Sequence, residues 1–150
     1  MTRQRRGVRI GVDVGTVRVG VAASDADGIL ATPVATLDRD PKGGRDLAEL
    51  AELVRARDAV EVVVGLPRHL SGRSGPAAAA ATAYAEDLAE LVAPVPVRLV
   101  DERLSTVAAE RTLADRGVGS RARRSVVDQA AAVVILQGAL DALPPESDRD

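Results

Sequence analysis

Asp13 stands in the run I-G-V-D-V-G-T-V-R-V-G-V-A, Ile10 to Ala22, among residues that otherwise favour a β-strand. A carboxylate inside an apolar strand is costly unless something pairs with it or coordinates it. A cation meets that need, either a metal ion or the metal on a bound phosphate. The alternative is a carboxylate capping the turn amides of Gly15 and Thr16, since aspartate is common at turns. Further acids fall at the ends of predicted elements: Asp101 and Glu102 where the last strand stops, and Asp128 in the first turn of the last helix. In open α/β sheets, sites form beyond the carboxyl ends of strands, so these acids can converge with Asp13 on one cleft. Cysteine is absent and the lone histidine, His69, falls in a loop, so the ligands are oxygens, which favours Mg2+ or Mn2+ over zinc. Clustered carboxylates around such ions suit two-metal phosphoryl transfer, with one ion activating water and the other stabilising the leaving oxygen, about 4 Å apart.

Each residue has a plainer role to weigh against this one. Ser125-Val126-Val127-Asp128 fits a capping box with Asp in place of Glu, so Asp128 can serve a helix start alone. Asp101 and Glu102 can pair with Arg98 and Arg103. Being adjacent, they point to opposite faces of an extended strand, so only one of them faces a metal. Thr16 and Ser105 can bond phosphate oxygens, or simply serve a turn and a helix cap. His69 reads as a solvated loop residue.

The elements that must position these residues follow from periodicity and turn signals. Val8–Val14 and Arg18–Ser24 read as paired strands joined by Gly15-Thr16-Val17, with a third strand over Ile29–Leu37 after the turn at Asp27-Gly28. Leu47, Leu50, Leu53 and Val54 recur at helical spacing, predicting a helix over about Arg45–Arg57. Val60–Val64 and Val97–Val100 are short continuous apolar runs, the mark of buried parallel strands. Between them Pro76 opens an alanine-rich helix to about Val92, with Tyr84, Leu88 and Leu91 on its buried side. A helix over about Ser105–Arg116, a basic loop over Gly117–Arg124 and a last helix from Ser125 to about Leu143 complete the chain. Hairpin strands followed by alternating helix and strand predict a mixed α/β sheet with helices on both faces.

The 150 residues suit one domain with a sizeable core, over about Val8–Leu143, with a short basic N-terminal arm and an acidic, frayed tail from Glu146. A hydrophobic share of 46% and a charged share of 28% are those of a globular protein. No signal peptide and no bilayer-spanning run is visible, and the missing cysteines suit a reducing cytoplasm. Phe and Trp are absent and Tyr84 is the only aromatic residue, which argues against recognition of single strands by base stacking. Net charge is only −2. The arginines nonetheless cluster, as Arg3, Arg5, Arg6 and Arg9 and again as Arg116, Arg121, Arg123 and Arg124, and two clusters suggest a phosphate-binding face.

Four stretches carry a resemblance. Gly11–Asp25 (G-V-D-V-G-T-V-R-V-G-V-A-A-S-D), Val62–Pro67 (V-V-V-G-L-P), Val100–Thr106 (V-D-E-R-L-S-T) and Val127–Gln137 (V-D-Q-A-A-A-V-V-I-L-Q) occur in the order of the motifs of the YqgF/RuvX family. These RNase H-like proteins are described as Holliday junction resolvases or pre-16S rRNA nucleases. The resemblance implies a five-stranded RNase H-like core and a metal-dependent endonuclease acting on precursor rRNA in ribosome biogenesis, on four-way DNA junctions in recombination, or on both. It implies Asp13, Glu102 and Asp128 as catalytic metal ligands for Mg2+ or Mn2+, with Asp101 as the alternative to its neighbour. Phosphate contacts would come from Arg18, Arg68, Arg103, Arg121, Arg123 and Arg124, and Gly15 and Thr16 would serve phosphate or turn. The family loop after G-L-P usually reads close to L-N-M-D-G, whereas here Arg68–Gly72 reads R-H-L-S-G, so no role carries over to His69 or Ser71.

Two other functions compete. D-V-G-T also resembles the first phosphate loop of actin-like ATPases and sugar kinases, which would make the chain a phosphotransferase. The second phosphate loop and adenosine motif of those proteins are not found. A non-catalytic RNA-binding assembly module on the same fold is the other, and the full set of candidate acids argues against it. A junction resolvase must cut two symmetric strands, which implies a homodimer.

Overall fold

The computed structural model describes residues 6–67, 75–102 and 121–143. Strands β1 (Arg9–Val14), β2 (Arg18–Ser24), β3 (Ala31–Asp38), β4 (Glu61–Leu66) and β5 (Val97–Asp101) form one sheet in the order β3-β2-β1-β4-β5. β1, β2 and β3 are antiparallel neighbours, while β1, β4 and β5 run parallel. Antiparallel partners can be joined by tight turns, but parallel partners need a crossover. α1 (Arg45–Ala56) and α2 (Pro76–Val92) are those crossovers, and α3 (Arg121–Asp141) follows after β5. The mixed sheet with helices on both faces is as the sequence predicts.

Side-chain alternation along the strands builds two cores. Ile10, Val12, Val19, Val21, Val62 and Val64 face Leu50 and Val54 of α1 and Tyr84 and Leu88 of α2. The other face carries smaller side chains, Ala22 and Val63, which pack under Ala132, Ile135, Leu136 and Leu140 of α3. Glycine on that face lets α3 come close: a Cβ at Gly11 would stand 2.6 Å from the Leu136 Cβ. Polar ties fix the register of α3 on the far strand. Gln137 accepts from the Ala31 amide at 2.9 Å and donates to the Ile29 carbonyl at 2.8 Å, and Gln129 donates to Thr36 Oγ1 at 3.0 Å.

Several expectations are corrected. α3 is already helical at Arg121, ahead of Ser125, because arginine and alanine are good helix formers. The basic residues 121–124 are therefore helical rather than in a loop, and Asp128 lies about two turns inside α3, which removes the capping-box role. Leu91 is 47% exposed while Val92 is buried, because Leu91 lies at the edge of the apolar stripe set by Ala81, Tyr84, Ala85 and Leu88. Arg9 is only 2% exposed and so leaves the presumed phosphate-binding cluster. Its Nε donates to Glu61 Oε1 at 3.0 Å, and Arg98 Nε donates to Glu61 Oε2 at 3.1 Å. That pairing also takes Arg98 as a partner for Glu61 rather than for Asp101 or Glu102. The predicted helix near Ser105–Arg116, and Arg68, His69, Ser71, Arg103 and Arg116, lie outside the described residues, as do both chain ends.

Candidate active site

The position of Asp13 follows from its strand partners. It pairs directly with Gly20 across β1 and β2, and directly opposed residues point to the same face. At Gly20 a Cβ would overlap the main-chain carbonyl of Asp128, so that face is the α3 face. Gly11, two residues before Asp13, also faces α3, through Leu136 and the Ala132 carbonyl. On the other side, Val12 pairs with Val64, so Gly65 follows on β4 as Asp13 follows on β1. A Cβ at Gly65 would lie 3.2 Å from Glu102 Oε2 and 2.5 Å from Ile135 Cδ1. Asp13 is thus flanked on both neighbouring strands by glycine. Asp128 covers one flank and the Glu102 carboxylate the other.

Alternation separates the adjacent pair. Asp101 is the last residue of β5 and pairs with Leu66. Leu99, two residues before it, packs against the α1/α2 core together with Leu66, whereas Val100 packs against the α3 core. Asp101 therefore shares the α1/α2 side by strand periodicity. Glu102, just past the strand, turns its carboxylate to the α3 side.

Burial is strong for two of the three acids that share the α3 side. Asp13 is 2% exposed and Glu102 is 6% exposed. Asp128 is half-buried, and its Oδ2 accepts from Arg18 Nε at 3.0 Å. Arg18 opens β2 and points to the same face as Gly20 by alternation, so this arginine, expected to contact nucleic acid, is engaged by an acid of the site. The Gly15 amide donates to the Arg18 carbonyl at 2.8 Å. Hairpin closure takes that amide, which sets aside Asp13 as its cap. Thr16 and Val17 are exposed at the tip of the turn.

The donor set is all carboxylate, the chemistry Mg2+ and Mn2+ take. Among the described residues no group of three His, Cys, Asp or Glu side chains is close enough to hold an ion as it stands, in keeping with the hold of Arg18 on Asp128. A cavity of about 300 Å³ opens beside Glu102, between β5 and α3, with Leu99, Val100, Ile135 and Ala139 in its wall. No helix among the described residues is long and apolar enough to cross a membrane. The sequence reading named the acids but not Gly20 and Gly65, which make room for them. The signal was present, since both are glycines inside otherwise β-branched strands, where glycine marks a close approach of other groups.

Comparisons with known proteins agree with this architecture. The model of the family described as "RuvX: Holliday junction resolvase" matches residues 7–142. A protein of Frankia casuarinae named "Putative pre-16S rRNA nuclease" is 66% identical over 134 residues, which span 89% of this chain and 66% of that protein. A protein of Mycobacteroides abscessus with the same name is 57% identical over 136 residues, 91% of this chain and 82% of that protein. Among solved structures, Thermus thermophilus RuvC in complex with Holliday junction substrate superposes with a TM-score of 0.56 at 17% identity, covering 91% of this chain and 94% of that one. That likeness is one of fold, the RNase H-like sheet. By the family match and the identity of these relatives, the chain belongs to the RuvX family.

Proposed function

We propose that this chain is a divalent-metal-dependent endonuclease that hydrolyses phosphodiester bonds in structured nucleic acid. Precursor 16S rRNA is the first substrate and a four-way DNA junction the second. The observation that carries this reading is the gathering of acids from β1, the end of β5 and α3 on one side of the sheet, over strand positions emptied by glycine. Asp13, Glu102 and Asp128 would hold Mg2+ or Mn2+, and Asp101 falls to a supporting place. Such an ion supplies charge neutralisation at the phosphate and a water of lowered pKa. Burial of Asp13 and Glu102 keeps their charge from being screened by water, which strengthens their hold on a cation. Arg18 competes with an ion for Asp128 Oδ2. Released, it is placed to contact a phosphate oxygen.

Arg68, Arg103, Arg121, Arg123 and Arg124 would hold the backbone of the substrate, with Gly15 and Thr16 at the edge of the cleft. Contacts of this kind read shape rather than sequence, as expected of a chain whose only aromatic residue is buried. The names of the relatives favour precursor rRNA and a cytoplasmic role in ribosome biogenesis. The family description favours junctions, and cutting these would require a homodimer.

The test is parallel cleavage of four-way DNA junctions and precursor 16S rRNA by the purified chain, with and without Mn2+. Metal-dependent products from the rRNA are expected. Binding without cleavage of either substrate would replace the enzyme reading with that of an RNA-binding assembly module. ATP-dependent transfer of phosphate to a small acceptor would replace it with the phosphotransferase.

A further inference from the structure

Arg39 follows β3 and belongs to none of the four motifs, yet it makes two hydrogen bonds to the turn between β1 and β2. Its amide donates to the Val17 carbonyl at 2.8 Å, and its Nη1 donates to the Gly15 carbonyl at 2.9 Å. One residue thus holds both ends of the turn that separates Asp13 from Arg18. Arg39 is held in its turn. Its Nε lies 3.6 Å from Asp46 Oδ2, and its guanidinium carbon stands 5.2 Å from the centre of the Tyr84 ring. Asp46 is 2% exposed and accepts from the Tyr84 hydroxyl at 3.0 Å and from the Asp40 amide at 3.2 Å. Burial, and then the charge of Asp46 and its hydrogen bond, push ionisation of the Tyr84 phenol far above its ordinary value, so the ring stays a neutral donor.

This cluster is built from the β3–α1 connection, α1 and α2, and its outward contact is the turn beside the acids. Its Arg39 Nε is buried without a hydrogen-bond partner. Leaving a polar atom so placed is a cost that an apolar side chain packed on Tyr84 would avoid. Stability alone therefore does not account for an arginine here, whereas the Gly15 carbonyl, the one turn acceptor that the side chain reaches, does.

We propose that Arg39 is a positioning residue of the site. It ties the Gly15–Val17 turn to the α1/α2 layer and so fixes Asp13 and Arg18 against the α3 face. The consequence for cleavage rests on the nuclease reading above, but the clamp itself can be measured without substrate. Arg39→Met removes the guanidinium contacts to Gly15, Asp46 and Tyr84 and keeps the backbone bond to Val17. Arg39→Met with Asp46→Asn also removes the stranded buried charge and guards against a variant that merely fails to fold. Arg39→Lys keeps a donor and a charge within reach of Gly15. Folding is followed by the emission of Tyr84, the only tyrosine and only aromatic residue. Amide hydrogen exchange is followed at Gly15, with Val12 and Val21 as references.

In both methionine variants exchange at Gly15 should quicken at least about tenfold while Val12 and Val21 hold. kcat on the cleaved substrate should fall about 10- to 100-fold, as for loss of a supporting partner of a ligand, with KM moved far less. Arg39→Lys should restore most of both. Unchanged Gly15 exchange with kcat within about twofold of wild type in the folded double variant would overturn the proposal. So would a loss of kcat that tracks the loss of folded protein. Absence of cleavage by the wild-type chain, with Gly15 exchange still responding to Arg39, would leave the clamp standing and sink the nuclease reading instead.

Discussion

Asp13, Gly20 and Gly65 work as one feature. The acid is buried, and the strand position on either side has no side chain to fill the space above it, so Asp128 and Glu102 can reach that side of the sheet. Two substitutions separate charge from space. Asp13→Asn preserves volume and should keep the fold, with a melting temperature within a few degrees of wild type, while Mn2+- or Mg2+-dependent cleavage falls on the order of 10³-fold, ~4 kcal/mol of transition-state stabilisation. Thermal unfolding beside a cleavage assay checks both halves, and a variant that cuts at wild-type rates removes Asp13 from the site. Gly20→Ala adds one methyl against the Asp128 carbonyl, where main chain cannot swing aside. It should cost at least about 2 kcal/mol, or roughly 4–8 °C, and impair cleavage by displacing the front of α3. A thermal shift below a degree would mean that α3 yields there.

The hairpin elements are secured by their turns as much as by their ladders. Asp25 at the end of β2 accepts from the amides of Ile29 at 2.8 Å and Leu30 at 2.9 Å. Those two bonds hold its pKa below the ordinary 3.8. A carboxylate whose pKa is depressed on folding stabilises the native state above its unfolded pKa, and that contribution is lost as pH falls through the folded value. Asp25→Ala should therefore lower stability at neutral pH, by less than about 1 kcal/mol for a group this exposed. The gap from wild type should close below pH ~4 and vanish once both forms are protonated. Denaturant unfolding at pH 7 and at acid pH measures it, and a gap that stays constant with pH would assign the loss to packing. Helix α3 is the element on which the site most depends, since its small-residue seat on β1 and β2 decides how near Asp128 comes.

Across the molecule, charge is arranged more sparingly than its arginine count suggests. Arg9 and Arg98 are spent on Glu61, Arg18 on Asp128 and Arg39 on Asp46 and the turn. Bulk affinity for a polyanion must then come from arginines elsewhere, and the run at 121–124 lies on the helix that carries Asp128. Neutralising Arg121, Arg123 and Arg124 together should weaken binding of duplex or precursor RNA and flatten the slope of log affinity against log salt by about 2–3. Filter binding over a salt series reads the slope directly. An unchanged slope would return that run to ordinary surface.

Strand and helix order were legible because apolar period and turn residues are local properties, and five strands with two crossovers emerge from them almost unaltered. The acids stand out in the sequence too, as charges in places where a charge needs a reason, and the structure adds that Asp13 and Glu102 are buried. Three things were not legible. That the Glu102 carboxylate rather than that of Asp101 lies on the α3 side depends on which way β5 packs between two cores. The helical state of residues 121–124 depends on propensities that a serine further on obscured. The parts played by Gly20, Gly65 and Arg39 depend on atoms distant in the chain, a helix carbonyl, an isoleucine and a turn, that no window of neighbouring residues contains. Local chemistry names the groups; only the closing of the sheet against its helices says which of them meet.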